Sequence, residues 1–266
     1  MGNRGRSAST AQIGALVKKV KKAGLDKRQV VDALLADKSE SSLKLALSLI
    51  PTNKAGYKKE LSVVMTLSDH DSWEVREYAA DALASILEEH FEETEAYLSG
   101  LRNSGGENAR RAIVVGLKYL GKASSPERGD AIVKLISRFM DDDSAYVQKN
   151  LGPFAIGDGL IEYYPKPVIA MLKQMSRSDS GIARWNVAAV FTAAVGTDFF
   201  ESMHVDVLRL LRDPDTKVRN TALKAVKTVA KRHAANRSRI AAALKSKSVA
   251  ALHAAKAIDD VLEVCK

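Results

Sequence analysis

One face of a predicted helix carries an aromatic ring and two carboxylates at spacings that suit chemistry. Trp73, Glu77 and Asp81 follow one another at four-residue intervals, which places them on the same side of a helix. In a groove, the Glu77 carboxylate could stabilise a developing positive charge, and the face of Trp73 could do the same through its quadrupole. Arg111 follows one repeat later and could hold a phosphate. The same residues also allow a plainer structure, with Glu77 in a salt bridge to Arg111 and Trp73 buried between repeats.

These side chains belong to a recurring pattern, a polar start followed by Val-Arg-x-x-Ala at the opening of an amphipathic helix. The valine slot is occupied by Ser42, Val75, Ala109, Val147, Ala183, Val218 and Ala250, with steps of 33, 34, 38, 36, 35 and 32 residues. A near-constant period in this range is typical of stacked helical pairs. We therefore expect an all-α, right-handed solenoid of about seven helical pairs plus an N-terminal helix. Residues 1–8 are expected to be a disordered lead, and residues 9–266 a single repeat domain.

The slot directly after the repeated arginine is polar or aromatic rather than apolar. It holds Glu77, Arg111, Lys149, Trp185 and Asn220. If the repeats stack regularly, these side chains face the same way and project into the groove lined by the second helices. Lys149 and Trp185 therefore join Trp73 and Arg111 as candidate binding residues, with Glu77 as the candidate catalytic group.

One predicted helix, residues 143–162, contains residues that disfavour helix. Gly152, Pro153, Gly157 and Gly159 all fall inside it. An interior proline costs about 3 kcal/mol or more, and each glycine roughly 1 kcal/mol relative to alanine. The stretch could open a cleft, let something approach the backbone closely, or be a local packing adjustment.

The charge and composition restrict the function. The net charge is +9, but residues 1–60 carry +8, residues 61–207 carry −8 and residues 208–266 carry +9. Basic ends suit a polyanion, although helical surfaces are often rich in lysine and arginine. A single cysteine, Cys265, cannot form a disulfide within the chain, and no apolar run suggests a membrane span. We expect a cytoplasmic monomer that binds no membrane, metal or cofactor, since metal-ligand spacings and phosphate loops are both missing from the sequence.

The helical pairs and the Val-Arg-x-x-Ala openings resemble HEAT repeats. An aspartate stands before the pattern at Asp71, Asp143, Asp179 and Asp215. In that family the aspartate and the arginine commonly pair between repeats, which would give Arg76 and Arg219 a structural role.

Residues 54–200 also resemble the bacterial alkylpurine DNA glycosylases, which are built from HEAT-like repeats. Trp73-x-x-x-Glu77 is similar to their Trp-x-x-x-acid pair, Arg111 to their arginine in the next repeat, and Val147-Gln-Lys-Asn-Leu-Gly152 followed by Pro165 to the repeat after that. The resemblance implies excision of cationic N3- or N7-alkylated purines from double-stranded DNA, without base flipping and without a cofactor. Glu77 would stabilise the oxocarbenium-like sugar, Trp73 would pack against it, and Arg111 would hold the backbone.

Two positions depart from that family. Its best-known branch has aspartate where this chain has Glu77, and an aromatic residue where this chain has Pro153; Trp185 could substitute for the aromatic ring. Two other functions remain open from the sequence. The first is a scaffold that binds another protein, in which Glu77 would form a salt bridge to Arg111. The second is a HEAT-like lyase or regulator of a protein-bound pigment, which only the repeat itself supports.

Overall fold

The computed structural model describes residues 8–50 and 57–266, and their regular structure is entirely helical. The all-α expectation is therefore confirmed for this part of the chain. Residues 1–7, most of the predicted lead, and Pro51, the predicted end of a helix, lie outside the described residues. The chain divides into two compact units, Met1–Gly116 and Leu117–Lys266, which we describe in turn. The single repeat domain predicted for residues 9–266 stays a prediction.

The first unit is built from helices whose starts follow the sequence closely. They are α1 (Thr10–Lys22), α2 (Lys27–Asp37), α3 (Glu40–Leu49), α4 (Tyr57–Leu67), α5 (Trp73–Ser104) and α6 (Glu107–Ala123), the last of which crosses the division between the units. Ser9 and Gln12 form a reciprocal capping box at the start of α1, and the Asp26 side chain accepts two backbone hydrogen bonds at the start of α2. These caps are local interactions, so the sequence predicts them without knowledge of the tertiary structure.

The N-terminal core of this unit is formed by Ile13, Val31 and the buried face of α3. Leu45, Ala46 and Leu49 complete the cluster. Burying each aliphatic side chain stabilises the fold by about 1.5–3 kcal/mol. The packing of this small cluster is what holds α1 and α2 on α3.

Helices predicted separately over residues 71–89 and 92–103 form the single long helix α5. It bends at His90, whose φ of −136° and ψ of 38° are not helical. The His90 ring is buried and stacks on Tyr57 at a centroid distance of 4.2 Å. The Thr94 hydroxyl donates to the His90 carbonyl at 2.7 Å, which satisfies a carbonyl exposed by the bend. The boundary between two predicted helices is therefore a bend and not a loop.

The second unit continues with shorter helices. They are α7 (Gly129–Ser137), α8 (Ala145–Asn150), α9 (Ile161–Tyr163), α10 (Pro165–Met175), α11 (Gly181–Val190), α12 (Ala194–Asp198), α13 (Phe200–Leu210), α14 (Thr216–Arg232), α15 (Arg237–Leu244), α16 (Lys247–Ala250) and α17 (Ala255–Leu262), with 3₁₀ turns at Pro126–Arg128 and Ala234–Asn236. Two predicted helices are interrupted. Residues 179–196 break between α11 and α12, and residues 246–264 break between α16 and α17, where His253 bonds to the Leu211 carbonyl at 2.9 Å.

The glycine-rich stretch remains helical but is kinked at Asp158, whose φ of −107° and ψ of 22° are not helical. Residues Leu151–Leu160 form a π-helix that joins α8 to α9. A Cβ on Gly152 would lie 2.9 Å from the Asn186 carbonyl oxygen, and one on Gly157 would lie 2.7 Å from the Val190 carbonyl oxygen. The glycines are needed because the backbone of α11 lies directly against them, so the stretch does allow another segment to approach closely.

No helix in the described part of the chain is long and apolar enough to cross a membrane.

Candidate binding site

The repeated arginine fixes the turn that precedes its own helix. Its Nη1 donates to the carbonyls six and five residues earlier, at 2.7 and 2.8 Å for Arg76, 2.7 and 3.0 Å for Arg184, and 2.7 and 2.9 Å for Arg219. These carbonyls lie in the turn before the helix, where partners are otherwise scarce. The same pair of hydrogen bonds in all three repeats fixes the start of α5, α11 and α14, and therefore the positions of the side chains that follow.

Pairing between repeats is present, but with a different aspartate. The resemblance to HEAT repeats implies that the repeated arginine pairs with an aspartate that stands before the pattern, such as Asp215. The structure instead pairs Arg184 with Asp213, through Nε at 2.6 Å and Nη2 at 3.0 Å. Asp215 caps α14 by accepting from the Lys217 backbone N–H at 2.7 Å. Because Asp215 caps its own helix, Asp213 is the aspartate that forms the ion pair between the repeats.

In the first unit, the structure brings Glu77 and Arg111 together. The Arg111 Nη2 donates to the Glu77 Oε2 at 2.5 Å. Arg111 is buried, with a relative exposure of 8%, whereas the Glu77 side chain is 31% exposed. We expected Arg111 to project into an open groove, whereas the structure buries its side chain against Glu77. Of the two arrangements that the sequence allowed, the salt bridge is the one observed.

Trp73 is far from buried. It is the first residue of α5 and 67% exposed, so it is not an inter-repeat core residue. It lies one turn before Glu77 on the same helix face. An exposed tryptophan ring offers a large apolar contact surface to a partner.

Asp81 completes this face of α5. Partial desolvation by the surrounding helices raises the pKa of its carboxyl above the ordinary 3.8, and the negative charge of Glu77 raises it further. Since the folded state binds this proton more tightly than the unfolded state, stability falls as the pH rises above the unfolded pKa of 3.8, and the full loss is reached above the folded pKa.

We expect Asp81→Asn to raise the melting temperature at pH 7 and to leave it unchanged at a pH well below 3.8, where the carboxyl is protonated in both states. The gain is small, below about 1 kcal/mol, because solvent screens this exposed group. Glu92→Gln removes a carboxylate from an exposed position of the same helix and is the matched control for the change in net charge. A gain from Asp81→Asn that persists at low pH would contradict the assignment.

In the second unit, Lys149 and Trp185 meet in one groove, as the slot pattern predicts. The groove holds about 320 Å³ and runs across α8, the π-helix, α11 and α14. Its floor is formed by the half-buried Trp185, with Pro153 and Ala189 beside it. The exposed ammonium groups of Lys149 and Lys224 stand at its rim. The proline that replaces an expected aromatic residue is therefore part of the apolar floor.

The sequence analysis missed several residues of this groove. Thr192, Thr221 and Lys224 all line it. Lys224 could have been found, because it lies four residues after Asn220 and thus on the same helix face. Within the described residues, no group of three or more His, Cys, Asp or Glu side chains is placed to hold a metal ion.

Comparison with known proteins supports a repeat protein. Residues 61–90, which cover most of α4 and the start of α5, match the HEAT repeat family. Together with the helical pairs and the arginine-closed turns described above, this match supports a HEAT-like repeat protein. No curated protein matches it significantly.

Three solved structures illustrate the range of similar chains. One, from a study of TOG–tubulin binding specificity, has 14% identity, a TM-score of 0.41 and 96% coverage of both chains. A computationally designed armadillo repeat protein for modular peptide recognition has 20% identity, a TM-score of 0.35 and coverage of 90% of this chain and 99% of its own. An engineered protein has 18% identity, a TM-score of 0.39 and coverage of 96% and 72%.

Proposed function

We propose that this chain is a HEAT-like repeat scaffold that binds a segment of a protein partner in the groove of its second unit. The observation that supports it best is the half-buried Trp185 on the floor of an open groove crossed by successive helices. Tryptophan is among the residues that most often dominate binding at protein interfaces, particularly where a ring sits in a partly desolvated depression.

The size of the groove favours a peptide segment over an enclosed small molecule. Pockets that bury most of a small ligand run from about 300 to 1,000 Å³ and are largely closed. This groove holds about 320 Å³ and is open to solvent across α8, the π-helix, α11 and α14. It suits one apolar side chain of a longer segment that continues past the rim.

The chain offers a direct test because it has only two tryptophans, Trp73 and Trp185. In Trp73→Phe, all tryptophan fluorescence comes from the groove. Peptides selected from a random display library against the full chain should shift this fluorescence on binding. Their affinity, measured by anisotropy of the labelled peptide, should fall at least about tenfold in Trp185→Ala and stay unchanged in Trp73→Phe. Selected peptides that bind Trp185→Ala as well as the parent chain would refute the proposal.

Excision of alkylated purines is the second candidate, and the exposed ring of Trp73 one turn before Glu77 is the observation that favours it. Neither the matched family nor the structures named above supports it. The charge of Glu77 is also engaged by Arg111, so less of it is available to a developing cation. Release of N3-methyladenine or N7-methylguanine from alkylated duplex DNA, lost in Glu77→Gln, would establish this function instead. We expect no release above background.

A further inference from the structure

The groove of the second unit carries positive charge without an internal counter-ion. Lys149 and Lys224 stand at its rim, and its lining contains no carboxylate. Across the described residues, neither lysine takes part in an ion pair. Another lysine of α14, the half-buried Lys227, does have a partner, since its ammonium group lies 3.8 Å from Asp260. The rim is thus a place where an external anionic group would gain electrostatic energy.

Lys224 also belongs to a longer feature of α14, which we call the lysine row. It consists of Lys217, Lys224 and Lys231, all exposed and spaced by seven residues. Two helical turns separate neighbours, so the three ammonium groups lie on one face, about 10.5 Å apart. The sequence of α14, Thr216–Arg232, contains no aspartate or glutamate to neutralise them.

The other cations of α14 are already committed. Arg219 is bound to the carbonyls of its own turn, and the Arg232 Nε donates to the Thr197 hydroxyl at 3.1 Å. Lys227 faces Asp260. The positive charges of the lysine row are therefore available to bind an anionic ligand.

We propose that the groove and the lysine row together bind an acidic peptide segment of the protein partner, with an apolar side chain against Trp185 and carboxylates along the row. This rests on the proposed function and names the chemistry of its partner. A peptide in the polyproline II conformation advances about 9.3 Å over three residues and returns every third side chain to the same face, which is close to the spacing of the lysines. Acidic residues at every third position would meet each ammonium group in turn.

The charge density favours a peptide over a nucleic acid. B-form DNA presents one negative charge per about 1.7 Å of its axis, whereas the row supplies one positive charge per about 10.5 Å. Most phosphates along the row would remain without a cation. The apolar floor of Trp185, Pro153 and Ala189 also suits an aliphatic side chain better than a sugar-phosphate backbone.

The experiment uses the full chain and a fluorescein-labelled peptide of about twelve residues, long enough to pass the row. The peptide carries glutamate at every third position around a central leucine, and its matched control has glutamine in place of each glutamate. We expect the glutamate peptide to bind at least about tenfold more tightly than the glutamine peptide at low salt. The double variant Lys149→Glu/Lys224→Glu should weaken the glutamate peptide by at least about tenfold.

A matched charge reversal controls for the net charge of the unit. The double variant Lys166→Glu/Lys173→Glu reverses two exposed lysines on α10, outside the groove lining, and should leave the affinity unchanged. Melting temperatures of all variants verify that the fold persists, as expected for exposed positions.

Three outcomes would overturn the acidic-peptide proposal. Equal binding of the glutamate and glutamine peptides would remove the role of charge. A labelled DNA duplex that binds more tightly than the peptide, and weakens in the same double variant, would make nucleic acid the ligand. If the library peptides depend on Trp185 but carry no acidic residues, the scaffold function stands and only the acidic partner falls. If no selected peptide depends on Trp185, the scaffold function itself fails.

Discussion

Arg184→Ala should lower the free energy of unfolding by about 3–5 kcal/mol, since it removes one partner of a buried ion pair. The Arg184 side chain is 12% exposed and that of Asp213 only 3%. The guanidinium donates through Nε and Nη2 to both carboxylate oxygens, at 2.6 and 3.0 Å. Without it, the carboxylate of Asp213 stays desolvated and uncompensated. The variant also loses the bonds to the Ser178 and Asp179 carbonyls that fix the start of α11.

Urea unfolding measures this loss, and two controls isolate its cause. Arg177→Ala removes an arginine that is 72% exposed and 3.6 Å from Asp206, and should cost less than about 1 kcal/mol. The double variant Arg184→Ala/Asp213→Asn should recover part of the loss, because an amide oxygen can still accept from the Asp215 N–H while the buried charge is gone. If Arg184→Ala proves as mild as Arg177→Ala, the pair does not hold these repeats together.

Gly196→Ala should be comparably damaging, with a loss of about 3 kcal/mol at the upper end of overpacking effects. A Cβ at this position would lie 2.1 Å from the Val190 carbonyl oxygen and 3.0 Å from its carbonyl carbon. Both atoms belong to the backbone at the end of α11, so the clash is relieved only by moving that helix relative to α12. Since α11 also carries Trp185, peptide binding in the groove should weaken together with stability.

The matched substitution is Gly100→Ala in α5, where an added Cβ meets nothing within 4 Å. It should instead stabilise the chain by about 0.5–1 kcal/mol, because alanine loses less backbone entropy in a helix. Thermal and urea unfolding of both variants provide the comparison. A Gly196→Ala protein as stable as the parent would show that α11 and α12 shift apart at little cost.

The sequence by itself determined that the described chain is helical and where many of its helices begin. Helix caps such as Ser9 and Asp26 and the spacing of apolar residues are local properties, and a chain segment carries them wherever it packs. The repeat step also predicted that Glu77 would lie beside Arg111, and that Lys149 and Trp185 would share a groove, because equivalent slots of adjacent helices face the same way.

The tertiary structure alone decided which of these side chains are buried, exposed or paired. Whether Arg111 reaches solvent depends on the helices packed around it, and these bury it and leave the salt bridge to Glu77. Trp73 is exposed because no neighbouring element covers its side of the first turn of α5, although Val75 in the same turn is fully buried. Glycine is required in the π-helix only because the backbone of α11 lies against it and leaves no room for a Cβ. Each of these outcomes is set by atoms distant in sequence, whose positions no local pattern records.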